Sequence, residues 1–404
     1  SNGMVMWLPK RVEILSSPAV NSYSMPWLKQ LAAHEYRHAV QYNNINKGVV
    51  RVFSYILGQQ SSTIGLLFMP LWGLEGDATL SETQMSSFGR ALQPSFTMHY
   101  RAVNNLATDR NLNKWFCGSY REYIPDHYHL GYQITAYGNT KYNENIWNNI
   151  VRYAVRNPYL IFTTYAGLRK YYKTTTDKLT REAFANLSDH WNSLPYQPNT
   201  STQLSLDAQE GYTTYRYPQP LDNGNVLSLY KTLDTPDAFV LTSKESGKRT
   251  RVAYTGAVST RPSEVVGGRV WWTEYRRSLL FAERVNSTLC YMDVEEGRPR
   301  SILSVNKALY PTTISEDELA WVEYFPNGCY NIVRGNPLPR QKAEYLRVEI
   351  PSDIEIHGLG YDNYTRALYF IATDDSGMWL GRVGKNREIE HITQGAYITI
   401  SDLR

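Results

Sequence analysis

Two histidines and a glutamate are the residues in this chain whose types and spacing could do chemistry. They lie in Leu31-Ala32-Ala33-His34-Glu35-Tyr36-Arg37-His38-Ala39-Val40-Gln41, an H-E-x-x-H pattern. On a helix, positions i and i+4 share one face, so both imidazoles can bind one zinc ion. Glu35 then sits beside them, placed to act as general base toward a metal-activated water. Histidine is rare, at 8 of 404 residues, so a chance pair at this spacing around a glutamate is improbable. The competing reading is a helix with two packed or exposed histidines.

A catalytic zinc takes three protein ligands and keeps one position open. Leu71-Trp72-Gly73-Leu74-Glu75-Gly76-Asp77-Ala78-Thr79-Leu80-Ser81-Glu82 offers the third. His34, His38 and Glu75 would supply two nitrogens and a carboxylate. Glu82, and also Asp77, could fix a ligand histidine by accepting its second N–H. The bland alternatives are a solvated helix-start carboxylate for Glu75 and a surface charge for Glu82.

In these motifs the chain resembles the gluzincin metallopeptidases. In gluzincin aminopeptidases the glutamate ligand lies in W-x-x-E-G-x-A, with another glutamate seven residues on. Trp72, Glu75, Gly76, Ala78 and Glu82 fit that pattern. The separation departs from it: Glu75 follows His38 by 37 positions, roughly double the family's spacing. The resemblance extends to Tyr128-His129-Leu130-Gly131, which matches a Y-x-x-G stretch. It implies that Tyr128 donates a hydrogen bond to the developing oxyanion. His127 is the rival, because a protonated imidazole serves the same purpose. Asp126 reads as a helix cap, and Arg121 and His129 as surface residues. The G-x-M-E-N motif that anchors a substrate amine in the aminopeptidases is absent. An endopeptidase is therefore the preferred reading, with the cleavage mode open. No G-x-S-x-G element is present, which disfavours a serine peptidase.

Two domains are expected to position these residues, because 404 residues exceed one small core. Hydrophobic residues make up 42% of the chain, as in a globular protein. The net charge of +4, from 42 basic and 38 acidic residues, argues against nucleic acid. Three widely spaced cysteines support neither a disulfide framework nor a cysteine zinc knuckle. The apolar run Ile64 to Leu74 is shorter than the roughly 20 residues of a membrane helix. Ser1-Asn2-Gly3 reads as an expression remnant, which makes the chain a piece of a longer protein.

Residues 1–195 read as a mainly helical, zincin-like metallopeptidase domain. A strand is expected at Lys10 to Leu15, and the zinc helix runs from Pro26 to about Tyr42. A further helix at 46–60 would carry Val49, Val52, Phe53, Ile56 and Leu57 on one face. Helices follow at 71–85, 99–108, 127–138, 143–156, 159–171 and 178–193. Pro195, Pro198, Pro218 and Pro220 mark a linker, set at 196–215.

Residues 216–404 read as an all-β propeller. Apolar runs starting at Val226, Val270, Leu319 and Leu368 recur 44 to 49 residues apart, each followed by a second run. That period fits four blades. Tyr397-Ile398-Thr399-Ile400-Ser401 resembles Tyr310 to Ser315 and reads as the start of a fifth. A β-sandwich with accidental spacing is the alternative. The second half also resembles TolB-like propellers, as joined to peptidase domains in Bacteroidetes-type envelope proteins. This resemblance implies a secreted, periplasmic or outer-membrane-associated protein with a zinc cofactor and a peptide or protein substrate. It also implies a propeller that gates access or binds an envelope partner. Two other functions stay open: a propeller-based scaffold with an inactive peptidase-like domain, and a zinc hydrolase of non-peptide amides or esters.

Overall fold

The computed structural model describes residues 3–6, 11–14, 24–58, 60–61, 69–86, 89–104, 112–119, 121–124, 126–195, 200, 204, 211–281, 284–338, 345–396, 399–401 and 403. The chain divides into two compact units. One comprises 1–15, 27–119 and 123–199, and the other 16–26, 120–122 and 200–404.

The first unit holds a hairpin of β1 (Gly3–Met6) and β2 (Arg11–Ile14), then helices. Gly3 is the first residue of β1. The helices are α1 (Trp27–Ile45), α2 (Gly48–Leu57), α3 (Leu71–Met85), α4 (Pro94–Asn104), α5 (Leu112–Cys117), α6 (His127–Tyr142), α7 (Ile146–Arg156), α8 (Thr163–Tyr172) and α9 (Thr176–Ser193). Local chemistry sets several starts. Pro26 precedes the first turn of α1, where a missing N–H is harmless. The carboxylate of Asp126 accepts from the Tyr128 and His129 amides. Asn145 caps α7 and Thr175 caps α9 in the same manner.

The core of this unit joins Trp72 of α3, Tyr100 of α4, Trp115 of α5, Leu130 and Ile134 of α6, and Trp147 of α7. Helix α3 is buried on nearly every side, and small residues make this possible. A methyl group on Gly73 would stand 2.0 Å from the Trp147 indole, and one on Gly131 would stand 1.8 Å from the Trp72 carbonyl oxygen. Gly76 and Gly131 thus let the backbones of α3 and α6 touch.

Helix α2 forms within the expected 46–60. Among the described residues Val52, Phe53 and Ile56 are exposed, and Val50 is the side chain buried, against Ile45 and Val155. Helical periodicity locates an apolar stripe but not what covers it. The helices α4 to α9 begin or end a few residues from the expected positions, and α5 was not foreseen.

The second unit is four antiparallel four-stranded sheets. They contain β3 (Thr213–Pro220) to β6 (Arg249–Tyr254), β7 (Ala257–Val258) to β10 (Arg300–Ile302), β11 (Ala308–Ser315) to β14 (Leu346–Glu349), and β15 (Glu355–Asp362) to β18 (Ile389–His391). Each is a meander in chain order. The four repeating runs are the second strands: β4 (Asn225–Thr232), β8 (Arg269–Arg277), β12 (Glu318–Tyr324) and β16 (Ala367–Asp374). These strands are apolar along their length because successive sheets stack face to face. Neighbouring side chains on a strand point to opposite faces. Accordingly, Trp272 packs with Phe239 of the first sheet, and Trp271 with Trp321 of the third.

Strand β3 starts at Thr213, so Thr213 to Tyr215 are not linker, and Pro218 and Pro220 lie in the strand. An edge strand tolerates proline because its outer N–H groups need no partner. A break in register before Pro218 places Tyr217 at φ +53°, and the same break before Pro311 places Tyr310 at φ +51°. Of the expected fifth blade, residues 397–398 lie outside the described residues, and 399–401 are not strand. All three cysteines are free. No helix among the described residues is long and apolar enough to cross a membrane.

Two alanine substitutions probe the helix packing. Gly131→Ala should destabilise the helical unit by about 3 kcal/mol or more, because backbone cannot yield to the new methyl. Gly167→Ala, inside α8 with its nearest neighbour 3.5 Å from the added carbon, should be neutral or stabilising by up to about 1 kcal/mol. Denaturant unfolding of both variants checks the contrast.

Candidate metal centre

Helices α1 and α3 place three side chains at one point. Nε2 of His34 is 3.1 Å from Oε2 of Glu75, Nε2 of His38 is 3.2 Å from the same oxygen, and the two nitrogens are 3.2 Å apart. Atoms bound tetrahedrally at about 2.0–2.1 Å from a zinc ion stand roughly 3.3 Å from one another. Hydrogen bonding could give the same distances, so the protons decide between the two.

His34 Nδ1 lies 3.2 Å from Oε2 of Glu82. Glu82 is fully buried and also accepts from Gln30 Nε2, the Arg90 backbone N–H, and Nε and Nη2 of Arg90. Burial alone would raise its pKa, but the His34 hydrogen bond and the Arg90 guanidinium outweigh it and hold the carboxyl at about 2. An ionised carboxylate only accepts, so His34 Nδ1 carries the proton.

The amide of Gln41 settles His38. Its Nε2 donates to the Leu74 carbonyl at 2.9 Å and to Oδ2 of Asp77 at 2.8 Å, both pure acceptors. Its Oε1 therefore accepts from His38 Nδ1, 2.8 Å away. Both neutral imidazoles thus turn bare Nε2 lone pairs toward Glu75. With both imidazoles neutral, two lone pairs and a carboxylate oxygen face one another, and a proton or a metal cation must lie among them. The group could hold a metal ion.

The surrounding titrations follow the same need for positive charge. Burial acts to raise the Glu75 pKa, but hydrogen bonds from His34 and His38 hold it far below the usual carboxylate range. Burial opposes protonation of His34, yet Glu75 and Glu82 raise its pKa. A proton on Nε2 is then the substitute for a metal.

Glu35 is buried with its carboxylate against the Gly3 backbone of β1. Burial raises its pKa, against the pull of His38 and His34. The Tyr128 ring lies 5.8 Å from the His34 ring, with the Arg90 guanidinium 5.3 Å from its centroid. Burial and the negative charge of Glu75 push its hydroxyl up to about 12, so it remains a donor. The contact of Gly131 with α3 brings this turn of α6 to the site. The His127 ring lies tilted beside Tyr128, centroids 4.6 Å apart, one residue further out on the helix start. His129 is not a plain surface residue: it pairs with Asp126 at 2.6 Å and stacks on Phe96 at 4.1 Å.

Asp77 touches neither histidine. It accepts from Arg37 Nε and Nη2 and from Gln41, and so acts on His38 only through Gln41. Sequence reasoning missed Gln41 and Arg90. Gln41 was findable, since it stands one turn after His38 on the same helix face. Arg90 was not, because it returns to Glu82 through a chain reversal at Gly89, whose added methyl would meet Thr83 at 2.1 Å.

No family model matches this chain, and no curated protein matches it. Among solved structures it is similar to TolB from Acinetobacter baumannii, at 12% identity over 45% of this chain and 44% of that one, with a TM-score of 0.35. A puromycin-hydrolysing peptidase of Mycobacterium tuberculosis matches at 17% identity over 47% and 33%, with a TM-score of 0.35. A prolyl endopeptidase matches at 12% over 46% and 30%, with a TM-score of 0.32. The chain spans less than half the length of each. At these TM-scores the likeness is loose, and the reading of the site rests on its own residues.

Glu82→Gln removes the acceptor charge behind His34 while keeping its shape. Metal affinity should fall by roughly 10- to 100-fold. In metal-free protein, the ionised Glu82 adds stability above the ordinary carboxylate pKa of 4.5, and this is lost as pH falls toward about 2. The wild type should lose on the order of 3 kcal/mol over that window through this group, and the variant should not. Acid-dependent unfolding of the two proteins measures the difference.

Proposed function

We propose that the chain is a zinc-dependent peptidase with His34, His38 and Glu75 as ligands and Glu35 as general base. The observation that carries this reading is the convergence of two imidazole lone pairs and a carboxylate, each held by its own hydrogen bonds. Two nitrogens and one oxygen suit zinc, and they leave a fourth position for water. When bound, such an ion polarises the substrate carbonyl and lowers the pKa of water to about 7.

The chain's own residues supply the remainder. Glu35, its pKa raised by burial, takes the proton of the attacking water and delivers it to the leaving amine. Tyr128, protonated at every working pH, donates to the oxygen that gains charge. His127 stands one residue further out, beside the Tyr128 ring, and takes the secondary role. Glu82 and Gln41 hold the two imidazoles as Nδ1–H tautomers. Without the amine-anchoring motif, internal peptide bonds of a protein substrate are the preferred targets. We place the four face-to-face meanders as blades of a TolB-like propeller that binds a partner in the cell envelope. A secreted or periplasmic location accompanies this reading.

Purified protein should contain about one zinc per chain by elemental analysis and hydrolyse a denatured protein substrate. Glu35→Gln should keep the zinc and lose roughly 10³-fold in kcat. Equal activity in zinc-loaded wild type and Glu35→Gln would refute the peptidase reading. Tyr128→Phe should lower kcat by about 10²-fold with little change in KM. A fall in His127→Ala with none in Tyr128→Phe would transfer the role to His127.

A further inference from the structure

Arginines on the sheets of the second unit mostly meet a carboxylate from a neighbouring position. Arg269 reaches Asp293 at 2.8 Å, Arg276 reaches Glu274 at 3.0 Å, and Arg347 reaches Glu323 at 3.2 Å. Arg334 pairs with Glu318 and Arg382 with Glu390. Strand β6, the edge of the first sheet, breaks this habit. Arg249 lies over the Tyr230 ring at 4.2 Å and donates to the Tyr215 hydroxyl at 3.1 Å. Arg251 lies over the Tyr254 ring at 4.3 Å and donates to its hydroxyl at 2.6 Å. Among the described residues neither guanidinium is ion-paired with a carboxylate.

The two arginines are two residues apart and so share one face of β6. Both line a cavity of about 520 Å³, together with Leu233, Asp234, Thr235 and Pro236. That volume is typical of a small-molecule site. Each guanidinium donates one N–H to a tyrosine hydroxyl and carries five N–H groups in all. Such a group matches a carboxylate in a two-point fork.

We propose that this cavity binds a small organic carboxylate, held by Arg249 and Arg251 with its body against the tyrosine rings, Leu233 and Pro236. Arg121 and Asp234 also line the cavity with opposite charges, so the planar forks of Arg249 and Arg251 set the preference, for a carboxylate over phosphate. A free peptide C-terminus and an acidic sugar share this chemistry. The assignment is independent of the zinc site.

Isothermal titration of the whole chain with N-acetyl-alanine, its C-terminal amide, glucuronate and inorganic phosphate tests it. At least one carboxylate should bind saturably and weaken as salt rises, and the amide should bind roughly tenfold weaker or not at all. Binding of N-acetyl-alanine alone assigns the peptide source, and of glucuronate alone the sugar source. Arg251→Gln should weaken binding roughly tenfold. Arg251→Lys, which keeps the charge but not the fork, should remain weakened. Arg251 is exposed, so these variants should keep the wild-type melting temperature even if Arg249→Gln does not fold. No saturable carboxylate binding, a preference for phosphate, or unchanged affinity in Arg251→Gln would overturn the proposal.

Discussion

Three electron pairs aimed at one point are the constraint on which the helical unit turns. His34, His38 and Glu75 come from two helices and converge on one point. Lone pairs and a carboxylate repel one another at 3.1–3.2 Å unless positive charge lies between them. The arrangement is therefore imposed from outside, by Glu82 behind one imidazole and Gln41 behind the other. Those two depend on further contacts: Arg90 and Gln30 on Glu82, and Asp77 with the Leu74 carbonyl on Gln41. Helix α3 can take part only because Gly73 and Gly76 let it sink among its neighbours. A site that would be unstable alone is thus embedded in the most buried helix of its unit.

How much of this was legible in the sequence depends on how far each interaction reaches along the chain. The histidine pair and Gln41 lie within two turns of one helix, so periodicity alone brings them to one face. Glu75 was legible through the tryptophan and glycine around it, which the packing explains. Trp72 fills the core beside Trp147, and Gly76 lies against Gly131. Arg90 was illegible because a reversal between helices returns it to a residue already placed, and no periodic signal marks such a return. Asp77 was assigned one partner too far in. Its type and place suited a histidine acceptor, but Arg37 and Gln41 stand between it and His38.

The second unit shows the same division. Its repeat was legible because strands buried on both faces have no polar alternation, and four such runs in phase are hard to imitate. The first strands were less so, since their prolines imitate a linker. Tyr217-Pro218 and Tyr310-Pro311 break register at equivalent places, a recurrence that would have tied Pro218 to a strand. Helix α2 marks the opposite failure. Its apolar spacing is regular, yet Phe53 and Ile56 are 47% and 79% exposed among the described residues. Periodicity says which side chains share a face, and burial depends on what else arrives there.

Charge at the candidate metal centre leaves room for a divalent cation. Four carboxylates cluster there: Glu35, Glu75, Asp77 and Glu82. Arg37 offsets Asp77, and Arg90 offsets Glu82, each through a two-point contact. Among the described residues Glu75 and Glu35 then have no guanidinium in an ion pair. One proton shared between the histidines balances only one of them, while burial raises the pKa of Glu35. A divalent ion balances both. It would relieve Glu75 directly and leave Glu35 free to exchange a proton without the site passing far from neutrality. A group that must first accept a proton and then release it benefits from that balance. Glu35, the proposed general base, and the three-atom cluster are in this sense one electrostatic unit, divided between neighbouring positions of α1 and the facing residue of α3.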